Sequence, residues 1–375
     1  MSRLHRLWSR TAARPGRDTD VTRVGDASFR FLGFKGRPEE ALFSRFDYVA
    51  EGLPPLLELE EVSFAPDQRC LYDSDGQRID ETKVTFTEPG APAYFNEEKF
   101  RPIETATMPE RFVPPAGARR FKEPVLLLGE VHDHWGHFIT DSMSRMWALD
   151  QLPRSLKVLF APDPKLRIDA PLVRELLAAL DLEDRLIRPD GPTIFEKVFC
   201  PIPAMQLSRT YQAFDAPHRH VAMTMLKGAA APPQAPVYLT RSRLEGGLRQ
   251  MAGEEELEAR LEGLGFLIVS PERLSLRDQM AIFNGRHAVI GAFGSAMHTV
   301  LFRRERLDQP VATLFPGKIP PRFMMVDAVK AAEAAYIRCI RFEGEPEAGG
   351  GGWRLDPRLA MKYLDAVGLL DGAGR

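Results

Sequence analysis

The sequence lacks several things that would decide its class at once. Cysteine is scarce, with Cys70, Cys200 and Cys339 far apart and odd in number. That rules out a disulfide framework and a zinc knuckle and suits a reducing compartment. No apolar run approaches the ~18 residues of a membrane span. Net charge is also missing: 50 Lys and Arg against 52 Asp and Glu leave −2, which gives no global attraction for nucleic acid. What remains, 44% hydrophobic and 27% charged over 375 residues, describes a globular chain with room for two domains.

The first 17 residues, MSRLHRLWSRTAARPGR, carry five arginines and no acid. Without an apolar core they do not form a secretory signal. Leu4, Leu7 and Trp8 fall at helical spacing against Arg3, Arg6 and Arg10, so residues 1–17 read as a basic tail or as a peripheral contact with an anionic membrane surface. Residues 20 to 120 are rich in Pro, Gly and short β-prone runs, and are expected to be an irregular, β-containing region. Within it, YDSDG places Asp73 and Asp75 in a DxD triplet. That pattern can bind a metal diphosphate, but Asp and Gly here fit a turn better.

From residue 124 the pattern becomes α/β. PVLLLGE, KVLFAP, RLIRP and KVFCPIP read as strands, with a helix-length segment through Leu149 and the amphipathic PLVRELLAALDL between them. GAAAPPQAP (228–236) reads as a linker. VYLT, FLIVSP, AVIGA and PVATLFP are further strands, and EEELEARLEGL and SLRDQMAIFNG are helices, the latter with a Ser275–Asp278 cap. EGEPEAGGGG reads as a second break before a closing helix with Asp356 and Pro357 at its start. The expected architecture is two Rossmann-like α/β domains facing across a cleft: a tail 1–20, a domain 21–230, a domain 231–342, and a Gly-rich linker with a closing helix over 343–375.

Three stretches carry chemistry. In GAFGSAMH a buried strand runs into Gly291, and Gly294 and Ser295 open a helix; backbone N–H groups there can approach an anion such as a diphosphate. In YLTRSR, Arg241 and Arg243 leave a strand end on one face and, with Arg249, can converge on phosphate. In EVHDHWGHFITD, two uses compete. His132, His134 and His137 have the HxHxxH spacing of metal-dependent hydrolases, but the aspartate expected at position 136 is Gly136 and no bridging aspartate is evident. Alternatively His137 and Asp141, at i and i+4, form an acid/base dyad able to take a proton from a hydroxyl.

In this order, GHFITDSMSRMWAL, YLTRSR and the run from EEELEARLEGLGFLIVSPERLSLRDQ to GAFGSAMHTVLF resemble glycosyltransferase family 61, over roughly residues 125 to 320. The resemblance implies a GT-B arrangement and an inverting, metal-independent transfer from a nucleotide-sugar donor to a glycan hydroxyl. No cofactor or nucleic acid is implied, and the setting is cytoplasmic surface or capsular polysaccharide synthesis, with a peripheral inner-membrane location open. Carried over by position, it implies His137 and Asp141 as catalytic residues, either being the base. Arg241, Arg249, Gln279, Gly291, Gly294 and Ser295 are implied for the donor. The chain departs from the family pattern at Phe293 (often His), Thr299 (often Asn) and Gly253 (often Asn). A metal-dependent hydrolase, and an inactive nucleotide-sugar- or glycan-binding protein, are the other readings.

Overall fold

The computed structural model describes residues 21–24, 27–34, 49–50, 52–65, 70–82, 109–130, 135–161, 171–206, 212–214, 216–229, 231–244, 251–304, 309–317, 319–330, 333–345 and 350–370. The chain divides into two compact units, each mixed α/β. One is Ala50–Met225; the other joins the residues up to Val49 to Leu226–Arg375. The boundary falls just before the small-residue stretch 228–236.

The sheet of the first unit has a parallel part and an antiparallel part. Leu186–Ile187, Lys157–Ala161, Val125–Glu130 and Thr193–Pro201 lie side by side and parallel, in the order third, second, first, fourth along the chain. Leu56–Phe64, Leu71–Tyr72 and Arg78–Ile79 continue the sheet antiparallel. Val125, Leu126, Leu127 and Leu128 are all buried, as expected of a parallel strand covered on both faces. Val62, Phe64, Leu127, Leu159, Phe195 and Val198 belong to the core on one face. Strand order reverses beside Val125–Glu130, and ligands of open α/β sheets bind beyond the carboxyl ends of strands at such a point. Here the strand carries a bulge between Leu127 and Gly129, with Gly129 at φ 87°. A bulge of this kind re-aims the chain leaving the sheet.

In the second unit five parallel strands run in the order Glu333–Arg338, Val311–Phe315, Val289–Ala292, Val237–Leu239, Leu267–Val269. Numbered along the chain from 237, this is the 2-1-3-4-5 order of doubly wound folds, read from the far edge. Its reversal point lies between Val237–Leu239 and Val289–Ala292.

Three expectations change. Ala27–Leu32, read with the domain 21–230, pairs parallel with Glu333–Arg338 and so extends the sheet of the second unit. Phe29 and Phe31 stack on Tyr336, at 6.0 and 5.5 Å, which gives that long-range pairing an apolar anchor. The glycine-rich run read as a linker is largely a hairpin: Ile340–Glu345 pairs antiparallel with Gly350–Leu355. Backbone pairing does not need side chains, and Phe342 against Trp353 (5.1 Å) and Arg354 against Glu343 (2.5 Å) hold the register. The helix expected through Leu149 is α-helical only over Trp135–Thr140, and Ser142–Asp150 winds as a 3₁₀ helix. There the Ser144 carbonyl and hydroxyl accept from the Ala204 and Met205 amides, so Ser144 is tied to the 204–205 segment instead of to an α-helical turn. The closing helix, Pro357–Ala366, has Asp356 accepting from the Leu359 amide as its cap. The basic tail 1–20 lies outside the described residues.

Candidate active site

Two arrangements follow in the chain the strands at which the order reverses, one in each unit. In the second unit, Leu239 and Gly291 are paired neighbours on adjacent strands. Beyond Leu239 the chain leads to Arg241; beyond Ala292 it turns through Gly294 into the 3₁₀ helix Ser295–Phe302. The glycines leave room for neighbouring side chains. A Cβ on Gly291 would come 2.8 Å from the Met297 sulfur and 3.3 Å from Leu239 Cβ. A Cβ on Gly294 would occupy the place of the Arg241 Nη1. The guanidinium therefore lies against the opening of the helix, where amides and charge together favour an anion. Burial draws the Arg241 guanidinium down from its usual range, against the pull of the Glu254 and Glu272 carboxylates. A cation partly withdrawn from water gains more from an anionic ligand than an exposed one does.

The loop bearing Arg241 is itself held. The Arg241 amide donates to Glu254 Oε1 (3.1 Å), which also accepts from the Tyr238 hydroxyl (2.9 Å). Thr240 donates its hydroxyl to Glu258, one helical turn along, and accepts from the Ser242 amide at 3.0 Å. Glu254 is fully buried, and burial raises its carboxyl to about 7. Sequence reasoning passed over Glu254 because it opens an acidic run typical of a solvated first helical turn. The available signal was Tyr238, since a buried tyrosine hydroxyl needs a partner.

In the first unit, His137 Nδ1 lies 3.1 Å from Asp141 Oδ2, the i, i+4 pairing read from the spacing. The Thr140 hydroxyl lies 2.9 Å from the same carboxylate oxygen and 2.9 Å from the Gly136 carbonyl. The histidine side chain is 35% exposed and the aspartate 16%. This dyad can fix an imidazole tautomer and pass a proton at the ring's outer edge.

Other singled-out residues take different places. Gln279 is buried, and its amide donates to the Pro271 and Leu274 carbonyls at 2.8 and 3.3 Å, so it braces the 271–274 turn. Phe293 is packed edge-to-face on Trp353 (5.3 Å) and lies 6.1 Å from Phe315. Thr299 is buried. Gly253 has φ 88°, and a Cβ there would approach the Leu355 carbonyl oxygen to 2.5 Å. Asparagine tolerates the dihedral but not that contact, so the departure from the family pattern follows from the neighbouring strand. Asp73 accepts from the Asp75 and Gln77 amides at 3.0 and 2.7 Å, with Gly76 at φ 75°: the DxD triplet is a turn. The three cysteines are buried and none is in a disulfide. Arg249, His132 and His134 lie outside the described residues, so the HxHxxH set is placed only at His137. Among the described residues no group of three or more His, Cys, Asp or Glu side chains is gathered for a metal, and no helix is long and apolar enough to cross a membrane.

The segment holding both arrangements, residues 135–309, matches the family model described as Glycosyltransferase 61. No curated protein matches the chain. The match runs from Trp135, two residues before the histidine of the dyad, through the Arg241 loop and the Gly294 turn. Over residues 135–309 the chain is similar to glycosyltransferase 61, the family its motifs resemble.

Proposed function

We propose that the protein is an inverting glycosyltransferase of the GT-B type that moves a sugar from a nucleotide-sugar to a glycan hydroxyl without a metal ion. The observation that carries this reading is the Arg241 guanidinium against Gly294 at the strand-reversal point, together with the family match over that segment. The donor diphosphate rests on Arg241 and on the amides at Gly294 and Ser295, and the base belongs to the His137–Asp141 dyad.

In the transfer, the acceptor oxygen forms a bond to the anomeric carbon as the bond from that carbon to the diphosphate oxygen breaks. The electron pair leaves with the nucleoside diphosphate. The acceptor proton passes to the His137–Asp141 dyad. With Asp141 at Nδ1, Nε2 is the ring atom that takes it, and Asp141 orients the ring and stabilises the imidazolium. Charge developing on the leaving group is met by Arg241 and the helix-opening amides. The setting that suits such an enzyme is assembly of a surface polysaccharide at the cytoplasmic side of the membrane.

Arg241→Ala tests the reading. Transfer is expected to fall by roughly 10²-fold or more, as when a preorganised anion-stabilising donor is removed, with the fold retained. Unchanged turnover would remove Arg241 from the mechanism.

A further inference from the structure

We propose that Glu254 is the positioning residue of the donor site: its buried carboxyl holds the Arg241 backbone so that the guanidinium stands at the Gly294 turn. The inference rests on the donor reading above and goes beyond it, because Glu254 itself does not touch the donor. Two carboxylates one turn apart on the helix Glu254–Glu262 grip the loop after Val237–Leu239, Glu254 through the Arg241 amide and Glu258 through the Thr240 hydroxyl. Glu254 also joins that loop to the strand Val237–Leu239 through Tyr238.

An acid in a first helical turn is ordinarily solvated and interacts with the helix dipole. Glu255 and Glu256 are exposed in that way, whereas Glu254 is fully buried and opens the helix from a glycine that a neighbouring strand makes obligatory. The titratable and charged groups facing it are Tyr238 from the strand, Arg241 from the loop and Glu258 on its own helix. Cys339 adjoins Tyr238, and Glu272 adjoins Arg241. An anion at Arg241 adds negative charge beside a carboxyl already raised to about 7, so ligand binding favours its protonated form. Positioning by Glu254 therefore has a signature that simple packing lacks: anion affinity that weakens as Glu254 ionises.

The test uses the full chain with Glu254→Gln and Glu254→Ala, inorganic pyrophosphate as the probe, and amide hydrogen exchange over residues 240–244. Glu254→Ala is expected to speed exchange there and to weaken pyrophosphate binding by ~10-fold or more, through the loss of both accepted hydrogen bonds. Glu254→Gln keeps a carbonyl acceptor and slow exchange. The loss of affinity that the wild type shows relative to it between about pH 6 and about pH 8 marks ionisation of Glu254. Native exchange and affinity in Glu254→Ala, or parallel pH profiles for wild type and Glu254→Gln, would overturn the proposal. If Glu254→Ala does not fold, the Gln comparison decides. If the wild type binds no pyrophosphate at any pH, the donor reading fails, and exchange alone decides whether Glu254 holds Arg241.

Discussion

The side chain of Arg241 is where this account is most exposed to test, because its place depends on an atom that is absent: the Cβ of Gly294. Gly294→Ala drives a methyl into the guanidinium's position. Its expected effect is a rise in donor KM of ~10-fold or more, with a smaller change in kcat, as for a lost charge-assisted contact to an anion. Steady-state kinetics over donor concentration check this, and an unchanged KM would separate the turn from donor binding. At the dyad, His137→Ala and Asp141→Asn are each expected to lower kcat by roughly 10²- to 10⁴-fold with donor affinity preserved. Donor binding that fell in step with kcat would instead place the dyad in binding. The dyad was legible in the sequence because i, i+4 spacing on a helix fixes proximity whatever surrounds it. Glu254 was not legible, since burial distinguishes it from Glu255 and Glu256, and its buried partners, Tyr238 and the Arg241 amide, come from a strand and loop outside its helix.

Among the elements, the buried strands declared themselves through near-continuous apolar runs such as VLLLG and VATLF, which a parallel sheet covered on both faces requires. Pairings between distant segments did not. Ala27–Leu32 has no local feature that assigns it to Glu333–Arg338, and a run of four glycines gives no apolar pattern to mark a strand. The helix Glu254–Glu262 shows how such pairings shape the site. Gly253 adopts φ 88° beneath the Leu355 carbonyl, so Gly253→Ala is expected to cost ~1–3 kcal/mol of stability. Urea unfolding followed in this unit measures it, and a midpoint equal to wild type would show that the junction relaxes freely. Phe293, at the family's usual histidine position, is part of the apolar packing between the Gly294 turn and the hairpin strand holding Trp353.

For the molecule as a whole, the second unit buries two carboxyls that prefer to be neutral. Burial raises both Glu254 and Asp327 to about 7, and Asp327 accepts from the Tyr336 hydroxyl at 2.5 Å. Because the folded values lie above the unfolded ones, their contribution is full below about pH 4 and is lost as pH rises through 7, each on the order of 3–4 kcal/mol. Asp327→Asn, which cannot ionise, should therefore gain in melting temperature relative to wild type between about pH 5.5 and about pH 8.5. An offset that does not change with pH would contradict the buried-acid assignment. The central claim, that the Arg241–Gly294 turn binds a nucleoside diphosphate unaided by metal, is tested most directly by thermal shift of chelator-treated protein against a panel of nucleoside diphosphates, in wild type and Arg241→Ala. Stabilisation of the wild type by at least one of them, and its loss in Arg241→Ala, is the expected result. No stabilisation of the wild type unless a divalent metal is restored, or equal stabilisation of both proteins, would contradict it.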